Sequence, residues 1–345
     1  MNNVHVRHAV AGDLGLLSAW LGRAVALPFT PAEQLWVAEV PAQEASGQTA
    51  LLGCLRLVPA IGVALPRVSY HVGCTVHSAA ELGLHHRQRT LLLGHDHTGA
   101  SELTDIAWLR EEQPLAEQAE VLQHLLAVAL LHMAQHRRDY SQGLIAELPG
   151  PRDSAGQSPF WQGLGRHFFS GDPQACAAHH GPAWRSWVAA LLPRQPIYAS
   201  FLSVAAQNAI AQVDGHALLL REALEAAGLR YGHHINVEDG GPVLEAQVND
   251  LPLCAQARSL ELCAEDLPMP MPMPLPLPMP LPLPMPMTSI WWLALTQQRG
   301  VIKLRGQAIG RVLAVAQADL QRAQLQPGQL VWCAPVAPLN HSPMA

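Results

Sequence analysis

Two short stretches carry side chains whose types and spacing could do chemistry. GHDHTG (94–99) sets His95 and His97 two residues apart. On a strand both rings would face the same side, as a pair of metal ligands does. No third ligand is apparent, so no metal is expected, and a turn role for Asp96 and Gly99 is the plainer reading. AQVDGH (211–216) sets Asp214 and His216 just ahead of an amphipathic helix. A histidine of near-neutral pKa suits proton transfer, worth ~10²–10⁴-fold when well placed. An aspartate starts near a pKa of about 3.9 and serves as a base only where burial or a like charge raises it. At a helix start it can instead cap backbone N–H groups. The six cysteines include no Cys-x-x-Cys pair and no recognisable nucleophile motif, which suits reduced thiols in a cytoplasmic protein.

These side chains need elements to hold them. VHVRHAV alternates like a strand, and AGDLGLLSAWLGRA follows as a helix. Strands are expected at 50–58, 67–77, 102–109 and 143–150, and helices at 114–139, from Ser158-Pro159, and at 216–231, where Gly228 suits a left-handed cap. Alternating strands and helices indicate an α/β fold. The aromatic stripe of SPFWQGLGRHFF (158–169) reads as core, with Arg166 its polar exception. At 49% hydrophobic and 14% charged, the chain of 345 residues can bury a large core. A net charge of −6 with histidine neutral argues against a nucleic-acid partner. The apolar stretch 121–134 is short and holds His124 and His132, so a buried helix fits better than a membrane span. The first fifteen residues lack the apolar core of a signal peptide.

Several strings resemble the bacterial arginine N-succinyltransferase family in order and spacing. They include YHVGCTVHSAAELGL (70–84), TLLLGHDHTGASEL (90–103), SPFWQGLGRHFF, LPRQPIYASFL (192–202), AQNAIAQV (206–213) and AGLRYGHHINVEDGGPVLEA (227–246). The resemblance implies a GNAT-like acyl-CoA N-acyltransferase fold with a β-rich C-terminal extension. It implies transfer of succinyl from succinyl-CoA, a co-substrate and not a resident cofactor, to the α-amine of arginine, with ornithine a further acceptor. It also implies a homo-oligomer, or a hetero-oligomer with a related subunit. Attack of an amine on a thioester needs a base, an oxyanion donor and a held leaving thiolate.

The resemblance places Asp214 where the family has its histidine acid/base, so Asp214 and the nearby His216 are the catalytic candidates. Glu102, Glu147 and Asp239 fall in family-like strings and are candidates to bind a guanidinium. Ordinary roles for them are a strand-end hydrogen bond and a turn. Ile106 falls on the apolar position that the family associates with succinyl-CoA. Three departures stand out: Asp214 itself, Pro149 in place of a basic residue, and the acid-rich TDIAWLREEQPLAEQAE (104–120) where glycines and bases would suit a pyrophosphate. They leave open a catalytically weakened homologue serving as a subunit, or an acyltransferase with another acceptor.

From 267 to 287 leucine or methionine alternates with proline. Such a run cannot sit inside a helix or a sheet. Strand-like segments follow it, so a body (1–266), a low-complexity loop (267–287) and a β-rich segment packing on the body (288–345) are expected.

Overall fold

A computed structural model describes residues 4–40, 50–110, 113–181, 183–265, 288–295 and 300–336. The proline run, and Glu111 and Glu112 of the acid-rich segment, lie outside them. Ten strands form one sheet. They are β1 (His5–His8), β2 (Gln34–Val40), β3 (Ala50–Val58), β4 (Ser69–Ala79), β5 (Leu84–Gly94), β6 (Ser101–Trp108), β7 (Gly143–Glu147), β8 (Ile197–Tyr198), β9 (Arg230–Ile235) and β10 (Pro242–Gln247). Their spatial order is β1-β2-β3-β6-β7-β10-β9-β4-β5-β8, and only β6 and β7 pair in parallel.

Helix α1 (Leu14–Leu21) and the long α2 (Leu115–Gln135) cover opposite faces of the first strands. Side chains alternate along a strand. Trp36, Ala38, Leu55 and Leu57 therefore pack toward α2, while Leu35, Val37 and Cys54 pack toward α1. This double burial explains why β2 reads as a nearly continuous apolar run. A second core joins β4, β5 and β9 to α3 (Pro159–Gly163), α4 (Pro173–His180), α5 (Ala183–Ala189) and α6 (Val204–Ala209). Ser158 caps α3, its Oγ accepting the Trp161 N–H at 3.0 Å. Helix α7 (Leu218–Ala227) packs on α2 and ends at Gly228, whose φ of 113° is left-handed.

After α8 (Pro252–Gln256), a closed barrel follows the order β11-β14-β13-β12-β15. Its elements are β11 (Arg258–Glu265), β12 (Ser289–Leu295), β13 (Gly300–Ile309), β14 (Val312–Ala316), α9 (Gln317–Arg322) and β15 (Leu330–Pro335). The strand before the proline run, β11, pairs with β14 and β15 from beyond it. The barrel rests on the outer side of α2 through Trp292, Val301 and Ala334. At Gly300 a Cβ would fall 2.0 Å from the Val6 carbonyl oxygen, so only glycine permits this approach to β1. Among the described residues, no helix is long and apolar enough to cross a membrane.

Candidate active site

The parallel pairing of β6 with β7 is limited to Ser101 opposite Leu144 and Glu102 opposite Ile145. Beyond that, β6 stays with β3 while β7 pairs with β10, and the sheet forks. A bulge shapes the fork, because Asp105 and Ile106 together oppose the single residue Leu55. Asp105 takes a φ of 49°, which is strained for a residue with a Cβ. Buried ion pairs hold it there. Arg56 Nε donates to its Oδ2 at 2.7 Å, and Arg23 reaches its Oδ1. Arg56 in turn binds Glu33 and the Ala26 carbonyl. Ile106, the second residue of the bulge, sits half-buried against the α2 core.

Beside the fork lies an ionic floor. Arg67, just before β4, reaches both Glu102 and Glu147 at 2.7 Å. Arg185 of α5 reaches Glu147 at 3.2 Å and also Glu238. Burial raises the Glu102 carboxyl, and Arg67 offsets that only in part. Burial also opposes ionisation of Glu147, but Arg67 and Arg185 together hold it below the usual carboxylate range. Three carboxylates thus meet two guanidinium groups, and the floor keeps one negative charge when all are ionised. A polar cavity of about 380 Å³ adjoins it, lined in part by Arg152, Arg166, Asp172 and Glu238. Another cavity, of about 960 Å³, lies between α2 and the barrel, lined in part by His8, Trp36, His132 and Trp332. It shares no lining residue with the floor.

The structure brings Glu102 and Glu147 together and pairs both with arginines of the chain itself. Asp239 serves a turn. Its Oδ1 accepts the Gly241 N–H at 3.0 Å, and its own N–H donates to Asn236 Oδ1. Burial raises its carboxyl. Asp214 begins the turn before α7, where its Oδ1 accepts the His216 N–H at 2.9 Å. Its backbone N–H donates to the Pro149 carbonyl at 2.9 Å, so two of the sequence's departures are in direct contact. The His216 side chain lies at the surface.

His95 and His97 occupy a turn instead of a strand, and their rings part. His95 Nδ1 donates to the Arg67 carbonyl at 3.0 Å. His97 turns inward to Glu245 and His234 on the β9–β10 hairpin. Arg67, Arg185 and Glu245 escaped the sequence reading. Each acts through a partner far along the chain, and no local spacing signals such a pairing.

A forked sheet of this kind, with one long helix behind the fork, defines the acyl-CoA N-acyltransferase (GNAT-like) fold. The same fold is found in subunit AI of the arginine/ornithine succinyltransferase of Pseudomonas aeruginosa. It is 22% identical and superposes over 97% of this chain and 99% of that one, with a TM-score of 0.70. Residues 40–253 match the family described as "Arginine N-succinyltransferase beta subunit", and the chain belongs to that family. The arginine N-succinyltransferases of Salmonella arizonae and Salmonella newport are each 35% identical to it, over 220 and 221 residues. Those matches cover 63% of this chain and 61% of each relative's length.

Proposed function

We propose that this chain binds succinyl-CoA and transfers its succinyl group to the α-amine of arginine, with ornithine as a further acceptor. The observation that carries this reading is the ionic floor beside the β6–β7 fork. Its surplus carboxylate charge gives a cationic side chain a partner, and the fork exposes backbone groups that a thioester and its pantetheine arm can use. The amine nitrogen attacks the thioester carbon, an amide bond forms, and the carbon–sulfur bond breaks. The ammonium proton passes to a base before attack, and the CoA thiolate leaves and is protonated. Asp214 and His216 are the candidates for the base. Glu102 and Glu147 are the candidates for the guanidinium, sharing their carboxylate oxygens between it and the arginines that already hold them. Asp239 is the third carboxylate candidate for the substrate, and Ile106, in the bulge at the fork, is the candidate to meet the thioester arm. Free thiols at all six cysteines suit the cytoplasm.

One observation favours a second reading. Asp214 spends an oxygen on a backbone cap, its Oδ1 accepting the His216 N–H at the turn before α7. The chain would then serve as a weakly catalytic subunit beside a related one, as the word "subunit" in the names of its relatives suggests. The experiment is free-thiol release from succinyl-CoA by the purified chain, with arginine or ornithine as acceptor. Release above blank supports the transferase. A folded protein that releases no thiol overturns it, and CoA calorimetry then separates the two alternatives: lost binding favours the subunit, and retained binding favours an acyltransferase with another acceptor.

A further inference from the structure

His97, His234 and Glu245 converge their donor atoms within 4.8 Å of one another. His97 Nε2 lies 3.0 Å from Glu245 Oε1, and His234 Nδ1 lies 2.8 Å from the same oxygen. The two rings stand nearly edge to face, with centroids 4.5 Å apart. The geometry points to a binding site for one Zn²⁺ ion, with His97 Nε2, His234 Nδ1 and Glu245 as its ligands. This inference is independent of the transfer reaction proposed above.

Three features support it. The first is the donor set. Two imidazole nitrogens and a carboxylate suit zinc, whose bonds to such ligands are about 2.0–2.2 Å. Bonds of that length set a tetrahedral edge of roughly 3.3–3.6 Å, so the two contacts to Glu245 need lengthen by only a few tenths of an ångström, while the two ring nitrogens settle to the same edge from within 4.8 Å. The second is the support behind each ring. A ligating histidine almost always has its other nitrogen held by an oxygen. Here Ser69 Oγ stands 3.3 Å from His97 Nδ1, and Asp96 Oδ2 stands 3.0 Å from His234 Nε2.

The third is backbone built to the purpose. Gly232 and His233 are extra residues in the β9–β10 ladder, inserted where its register shifts between Val243 and Leu244. His233 takes a φ of 62° to make this bulge, a strained conformation of the kind that gathers at functional sites. At position 232 a Cβ would lie 2.2 Å from the Glu245 carboxyl carbon, so the glycine gives the carboxylate its place. His97 is buried, whereas the Glu245 side chain is 32% exposed. Three protein ligands leave a fourth position on that open side for water. The ion would clip the 95–100 turn to the hairpin, directly beside the floor. Glu245 and Glu102 both oppose Ile145, from opposite sides of β7.

The test is Zn²⁺ titration of the untagged full-length chain against a chelating indicator, with Co²⁺ as an absorbing substitute. One equivalent is expected to bind, and His97→Ala, His234→Ala and Glu245→Gln are each expected to weaken binding at least tenfold. His95→Ala leaves it unchanged. Zinc that binds equally to wild type and the three variants sits on surface histidines and overturns the site, as does the lack of any stoichiometric binding. Should a variant fail to fold, X-ray absorption on the zinc-loaded wild type decides. A shell with two imidazoles and oxygen supports the assignment, and any other imidazole count, or sulfur, overturns it.

Discussion

His124 offers a quantitative test of how the barrel is seated. It lies on α2, 5% exposed, and its Nδ1 donates to the Glu120 carbonyl at 2.8 Å. Its ring meets the barrel's Trp292 edge-on at 4.9 Å. Burial lowers its pKa from 6.5 to about 4, with Lys303 adding to the effect and the Glu120 hydrogen bond opposing it. The folded state therefore prefers the neutral ring, and the unfolded chain takes up the proton first as the pH falls. Its contribution is complete above pH 6.5 and is lost as the pH falls toward 4. At ~1.4 kcal/mol per pH unit the full loss is about 3 kcal/mol, of which about 2 kcal/mol has gone by pH 5. The assay is urea unfolding, followed by circular dichroism, of wild type and His124→Phe at pH 7.5 and 5.0. Phenylalanine keeps a ring against Trp292 and cannot be protonated. The wild type should lose about 2 kcal/mol more than the variant between the two pH values. Equal losses, within ~0.5 kcal/mol, would refute the argument that burial at this interface holds His124 neutral.

Other substitutions probe the remaining elements. Asp214→Ala should cost about 1 kcal/mol through the lost cap, and Asp214→Ser should restore it. If the cap is its whole role, the rate of thiol release changes less than tenfold, and a larger fall identifies Asp214 as the base. Arg67→Met leaves Glu102 and Glu147 facing each other in the interior and should cost about 3–5 kcal/mol. Adding Glu102→Gln should recover part of that loss in urea melts, and no recovery would contradict the described pairing. Gly300→Ala forces the barrel away from β1 and should cost about 1–3 kcal/mol. Hydrogen exchange at the β1–β13 contact should quicken, whereas unchanged protection would mean the approach is not tight.

What could be read from the sequence followed from local physics. Strand 50–58, the helix opening at Ser158-Pro159 and the left-handed Gly228 all depend on residues within a turn or two of one another, and each appears as expected. The strand at 34–40 passed unnoticed because burial on both faces removes the alternation that marks a half-buried strand. At the site, sequence named the carboxylates Glu102 and Glu147 but not their partners. Arg67 lies 35 and 80 residues away from them, and only the sheet order brings them together. The His95–His97 spacing suggested one shared face, but a turn separates the rings, and His97 finds Glu245 148 residues further on. The cap reading of Asp214 was open from the start, since the same residue type serves both purposes.

The position of β11 has a consequence for how this chain tolerates being cut or lengthened. β15 lies between β11 and β12 in the barrel wall, so the strands on either side of the proline run hydrogen-bond to a common neighbour. A break between Glu265 and Ser289 would sever none of the ladders among the described residues. It would leave two fragments, each lacking strands that the other supplies, and neither could close the barrel alone. Separately produced pieces should therefore assemble into one particle. Lengthening that junction carries only the slow logarithmic cost of closing a longer loop, about 0.6 kcal/mol per doubling. Evolution or an engineer can thus vary the tether while the architecture on both sides stays the same.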